Sequence, residues 1–158
     1  LFLTSGGVSV GDFDIVKQVL AAEGEIGFWR VRMKPGKPLA FGRIGAVPVL
    51  GLPGNPVSAM VAFEVFVRPA LLKMLGAATL HRPTVEAILA DEVPAKDERR
   101  HYLRVHLEYG QGGYRAYLTG AQGSGVLSSM LGADGLAIIP EDWPSAPKGA
   151  RVRVLLLR

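Results

Sequence analysis

The chain has 158 residues, a formal net charge of +4, 49% hydrophobic residues and no cysteine. That length carries one domain or two small ones, and the apolar share allows a packed core. Disulfides and thiolate metal sites are excluded, and three histidines spread along the chain give no zinc pattern. No apolar run reaches the ~18 residues of a membrane span and no signal-peptide pattern is visible, so a cytoplasmic protein is expected, with no membrane contact.

Charge is unevenly placed. Arg30, Arg32, Lys34, Lys37 and Arg43 fall in one short stretch without an acid. A local anion site explains this better than a nucleic-acid surface, which needs a longer basic stripe with exposed aromatics.

Leu1 to Thr4 reads as the end of a buried strand, so the chain is expected to begin inside a domain. Ser5-Gly6-Gly7-Val8-Ser9-Val10-Gly11 is a glycine-rich loop. Asp12 suits an N-cap, and Ile15, Val16, Val19 and Leu20 then share one face of a helix ending near Gly24. Glu25 to Met33 is strand-like. Lys34-Pro35-Gly36-Lys37-Pro38 reads as a loop, because proline and glycine at that density oppose regular structure. Leu39–Ile44 and Val47–Leu50 read as strands joined at Gly45.

The octet Gly51-Leu52-Pro53-Gly54-Asn55-Pro56-Val57-Ser58 is a strand-to-helix turn. Asn55 is placed to cap with its side-chain oxygen, and Pro56 falls where a missing N–H costs nothing. Free amides and the positive end of a helix then suit an anion, to which Ser58 adds a hydroxyl. Proline at 69 predicts a break at Arg68, with a second short helix running to Leu75.

From Thr79 the pattern changes to short strands: Thr84–Leu89, Tyr102–Glu108, Tyr114–Thr119, Gly135–Ile139 and Ala150–Leu157. Turn signals between them predict a small β-barrel or sandwich. The fold class is therefore α/β followed by all-β, with a first domain over 1–76 and a second over 77–158.

Three loops invite chemistry. Those at Ser5–Gly11 and Gly51–Ser58 are glycine-bearing turns of the kind that gathers at the carboxyl edge of an open sheet, where backbone amides can cradle an oxyanion. The third carries Lys34 and Lys37 on a loop stiffened by prolines, which loses less entropy on binding a dianion. The plain alternative is that the glycines only shape turns and the lysines are solvated. Asp14, behind the first loop, is better placed than Asp12 to hold Mg²⁺ against a phosphate. In the second half, alternation puts Arg100, Tyr102 and Arg104 on one strand face, read as wet unless it is functional. Arg99 lies just before that strand, and Ser124 sits in a polar loop.

In order and spacing, Ser5–Gly11, Asp14, Met33–Pro38 and Gly51–Ala59 resemble the MoeA family of molybdenum-insertion enzymes, which includes the E domain of gephyrin. Arg99, Tyr102–Arg104, Thr119-Gly120 and Gln122–Ser124 resemble its C-terminal domain less closely. The resemblance implies the later part of a MoaB/Mog-like three-layer α/β domain that binds molybdopterin, then a C-terminal β-barrel. It also implies molybdenum insertion by a molybdopterin molybdenumtransferase, in which adenylylated molybdopterin and molybdate give molybdenum cofactor and AMP with Mg²⁺.

By the same resemblance Asp14, Lys34 and Lys37 are the catalytic candidates, and Asp14 also holds the metal. Ser5, Gly6, Gly7, Ser9, Gly11, Pro38, Gly54, Asn55, Pro56, Ser58, Arg99 and Ser124 are the substrate-binding candidates. A homodimer is implied, with the molybdopterin adenylyltransferase as a candidate partner. Two other readings stay open. One is an oxyanion- or nucleotide-binding scaffold without catalysis. The other is a molybdopterin adenylyltransferase-like enzyme, against which the C-terminal β segment counts.

Overall fold

A computed structural model describes residues 1–7, 15–94 and 97–158, excluding the side chains of residues 15–17, 20 and 28. The chain divides into two compact units. One comprises Leu1–Val31 and Pro35–His81, the other Arg32–Lys34 and Arg82–Arg158.

The first unit holds strands β1 (Phe2–Ser5), β2 (Glu25–Arg30), β4 (Pro38–Ile44) and β5 (Val47–Leu52), in the sheet order β1-β5-β4-β2. Strand β3 (Met33–Lys34) belongs to the second unit. β1 and β5 are parallel, with Thr4 beside Gly51 and Ser5 beside Leu52, and the other neighbours are antiparallel. Helix α1 (Ile15–Glu23) connects β1 to β2, and its Val19 is exposed rather than part of a buried face.

The long apolar stretch after Pro56 is helical throughout. It runs as α2 (Pro56–Ala62), a π-helical stretch (Phe63–Val67) and α3 (Arg68–Met74). The expected break at Arg68 takes this form because Pro69 has no N–H to offer the turn before it. The wider register just upstream lets the Arg68 N–H reach the Phe63 carbonyl. This helical run packs Ala62 and Val67 on Leu39, Leu50 and Leu52 of the sheet.

The second unit is a closed barrel of five strands: β6 (Thr84–Leu89), β7 (Arg100–Gly110), β8 (Gly113–Leu118), β9 (Gly135–Ile139) and β10 (Arg151–Leu156). They follow the order β7-β8-β6-β10-β9, and β9 returns to β7. Alternation fills the interior with Ala87, Leu89, Leu103, Val105, Ala116, Ala137, Ile139, Val152 and Val154, and small residues at several of these positions keep the lumen narrow. One further turn of helix, α4 (Ser128–Leu131), follows the polar loop. Among the described residues no helix is long and apolar enough to cross a membrane.

Two local expectations need correction. The Glu25–Met33 segment is not one strand, since β2 ends at Arg30 and Met33-Lys34 pairs in parallel with Arg100-His101 of the barrel. Lys34–Pro38 is correspondingly not all loop: Lys34 ends β3 and Pro38 opens β4, leaving Pro35, Gly36 and Lys37 between. Local composition carries no sign of a strand partner so distant in sequence.

Candidate functional site

In the first unit the parallel pairing of β1 and β5 brings two glycine turns to the same sheet edge. Gly6 and Gly7 both adopt left-handed backbone angles, φ 85° and 73°, which other residues resist. The Gly6 N–H donates to the Leu52 carbonyl at 3.0 Å. A Cβ built on Gly54 would stand 3.2 Å from the Gly6 Cα, so glycine is what lets the turns approach so closely. β4 runs antiparallel to β5 with Ala40 opposite Gly51, so its first residues lie at the edge where β5 ends. Lys37, exposed and immediately before Pro38, enters the sheet there, and its carbonyl accepts from the Val31 N–H at 2.8 Å. Ser5, Gly6, Gly7, Lys37, Pro38, Gly54, Asn55, Pro56 and Ser58 are thereby gathered at one edge of one sheet.

The details depart from expectation in two ways. Asn55 is the residue before the helix, and its carbonyl accepts from the Ala59 N–H at 2.9 Å, but its side chain makes no capping bond. Among the described residues Asn55 Oδ1 is instead buried without a hydrogen-bond partner, as is Thr4 Oγ1 of β1. Each unmade bond of this kind costs about 1–3 kcal/mol. Ser58 is buried, at 6% exposure, rather than open to solvent. Asp14, Ser9 and Gly11, together with Asp12, lie outside the described residues.

The second unit carries its own cationic groups. Asp97 gathers three of them: Arg99 Nη2 at 2.6 Å, His101 Nε2 at 3.2 Å and Lys34 Nζ at 3.8 Å. The bidentate hydrogen bonding from Arg99 and the contact from His101 hold the Asp97 carboxyl far below the ordinary carboxylate range, against an opposing effect of burial. The same bond raises the Arg99 guanidinium. Arg32 reaches Glu98 at 3.8 Å and Arg100 reaches Glu141 at 2.9 Å. Lys34 therefore lies in the barrel unit, whereas Lys37 lies in the sheet unit.

Arg104, on the strand face read as wet unless functional, is completely buried. Its Nε donates to Ser129 Oγ at 3.0 Å and its Nη2 to the Gly123 carbonyl at 3.1 Å, while Nη1 has no partner among the described residues. Burial alone pushes this guanidinium below its ordinary value. Arg104 thus buries a cation with a donor left over beneath the loop that carries Gly123, and buried guanidinium donors are best satisfied by anionic oxygens. Alternation identified its strand face but not the loop that folds over it, so this residue was missed as a site candidate. Among the described residues no group of three or more histidines or carboxylates is placed to hold a metal.

Residues 1–73 match the family described as a probable molybdopterin binding domain, and residues 86–157 match the MoeA C-terminal region, domain IV. The chain is similar to molybdopterin molybdenumtransferase 2 of Mycobacterium tuberculosis, at 37% identity over 160 residues, covering 98% of this chain and 39% of the relative. It is similar to gephyrin of Dictyostelium discoideum at 36% identity over 181 residues, covering 99% of this chain and 25% of the relative. Among solved structures it is similar to the molybdopterin biosynthesis MoeA protein of Pyrococcus horikoshii, with 35% identity and a TM-score of 0.79. That match covers 99% of this chain and 37% of the other. The chain thus spans well under half the length of these relatives.

Proposed function

Since the chain belongs to the MoeA family, we propose that it serves molybdenum-cofactor biosynthesis as part of a molybdopterin molybdenumtransferase. In this reading adenylylated molybdopterin and molybdate are the substrates, and molybdenum cofactor and AMP are the products. The observation that carries it is the meeting of the Ser5–Gly7 and Gly51–Ser58 turns at the edge where Lys37 enters the sheet.

The chemistry of these groups supports the assignment. Glycine turns offer backbone N–H groups to phosphate oxygens without steric cost, and Lys37 supplies positive charge to a dianion. Asn55 Oδ1 and Thr4 Oγ1 have no hydrogen-bond partner among the described residues, and in this reading they accept from donors on a pterin-like substrate. On the barrel, Lys34 and Arg99 beside Asp97, and separately Arg104 beneath the loop that carries Ser124, offer further groups to an oxyanion. Magnesium would be held through Asp14, which lies outside the described residues, and no role given to another residue depends on it. The proposal extends to a homodimer, to the molybdopterin adenylyltransferase as a partner and to the cytoplasm as the location.

The test is turnover by the full-length protein, followed as AMP release and cofactor formation from adenylylated molybdopterin and molybdate. We expect activity, reduced about 100-fold or more in Lys37→Ala, since losing one group that stabilises charge in a site typically costs that much. No cofactor from the parent protein, together with no effect of Lys37→Ala on binding of either substrate, would sink the reading.

A further inference from the structure

We propose that Gln122 is a positioning residue that holds the Arg104–Ser124 oxyanion group in register. The proposal rests on the reading that this group takes an oxyanion. It starts from an interruption in strand pairing on β7. β9 covers residues His101 to Val105 along one edge of that strand. The opposite edge is taken by β3 at Arg100 and His101 and by β8 only from Val105 onward. Arg104 lies in the interval, where no strand reaches its main-chain N–H.

The Gln122 side chain fills that place. Its Oε1 accepts from the Arg104 N–H at 2.8 Å, and its Nε2 donates to the Arg104 carbonyl at 3.1 Å, as the peptide group of a neighbouring strand would. The same Nε2 donates to the Gly120 carbonyl at 3.1 Å, which ties the start of the loop to the strand. Thr119 adds its N–H at 3.1 Å and its hydroxyl at 3.2 Å to the Arg104 carbonyl. The residue after Gln122 supplies the carbonyl that takes Arg104 Nη2, and the next is Ser124. One amide thus sets the distance between the strand that carries the buried guanidinium and the loop that carries the serine hydroxyl. A small displacement of groups in a binding constellation costs far more than it does in a passive loop.

Gln122 need not touch the ligand, so its test must separate position from stability. Molybdate binding to the full-length protein is measured by calorimetry, with sulfate as a competing anion, for the parent and four variants. Gln122→Met keeps the length and bulk of the side chain and removes its three hydrogen bonds, and Gln122→Ala removes the bulk as well. Both should raise the molybdate Kd on the order of 10- to 100-fold, the loss typical when a group that orients a ligating residue is removed. Val154→Ala, in the barrel core and far from the loop in sequence, should lower the melting temperature while leaving Kd unchanged. Ser124→Ala reports on the underlying reading.

If Gln122→Met binds molybdate like the parent while Ser124→Ala weakens binding, the positioning role is overturned and the oxyanion reading stands. If Ser124→Ala and Gln122→Met both bind like the parent, the reading falls and this inference falls with it. If Val154→Ala weakens binding as much as Gln122→Met, the effect is one of stability and the positioning role is overturned.

Discussion

The N–H of Gly6 donates to the carbonyl of Leu52 at 3.0 Å, joining the two glycine turns of the sheet unit. That joint depends on two missing side chains. We predict that Gly6→Ala, forced to a φ of 85°, costs about 1–2 kcal/mol. Gly54→Ala, whose Cβ would meet the Gly6 Cα at 3.2 Å, should cost on the order of 1 kcal/mol. The two tryptophans lie in different units, so in a Trp143→Phe background Trp29 reports unfolding of the sheet unit. Denaturant midpoints equal to the parent's in both variants would show that the turns do not need this approach.

The barrel has a comparable point of close contact at Gly135 of β9. A Cβ there would lie 2.5 Å from Val154 Cγ1 and 2.7 Å from the Leu155 carbonyl oxygen. Because one of those atoms is backbone, rotamer change alone cannot make room. Gly135→Ala should destabilise the barrel unit by about 1–3 kcal/mol, read from Trp143 fluorescence in a Trp29→Phe background. An unchanged midpoint would mean the barrel is looser at this corner than the packing implies.

Acid should weaken the barrel unit through two aspartates. Asp97 is held low mainly by its hydrogen bonds from Arg99, and Asp134 mainly by the Leu107 N–H, helped by His106 and Arg158. Both carboxyls are lowered from an ordinary value of 3.8, so the folded state binds protons less readily than the unfolded state. Their contribution to stability is present above that value and is lost as pH falls below it. Melting temperatures from pH 5 down to pH 2.5 should therefore fall less steeply in Asp97→Asn and Asp134→Asn than in the parent. Parallel curves would remove these carboxylates from the account.

Arg104 gives a prediction of the opposite kind. A charge buried without a carboxylate is expensive to keep, and replacing buried charge by a well-packed apolar side chain is often neutral or stabilising. Arg104→Met should therefore hold its stability to within about 1 kcal/mol of the parent, or gain, while molybdate binding is lost. Loss of folding with no separate effect on the anion would make Arg104 a structural residue only.

Several features were legible because local chemistry decides them. The strand-to-helix turn lies inside Gly51–Ser58 as its glycines and Pro56 imply, although β5 runs on to Leu52 and α2 already starts at Pro56, and alternation with turn residues gave β6 and β9 to the residue. What failed to show depended on partners distant in the chain. Met33 and Lys34 form a strand because Arg100 and His101 lie beside them, nearly seventy residues later. Asn55 matches the statistics of a cap yet makes none, since a preference says nothing about which neighbours compete for the side chain. Arg104 looked wet because a loop folded over a strand leaves no periodic trace. Its signal lay in Gln122 and Ser129, polar residues whose bonds point back to it.

The three residues Arg32–Lys34 have a consequence for how the polypeptide reaches its final state. They precede β4 and β5 in the sequence, yet their partners on β7 emerge much later. During translation β3 must wait unpaired until β7 emerges. A ribosome pausing before Arg100 would hold a nascent chain with this short segment still exposed, and a barrel expressed from residue 82 onward would present an open stretch of β7 to neighbouring molecules.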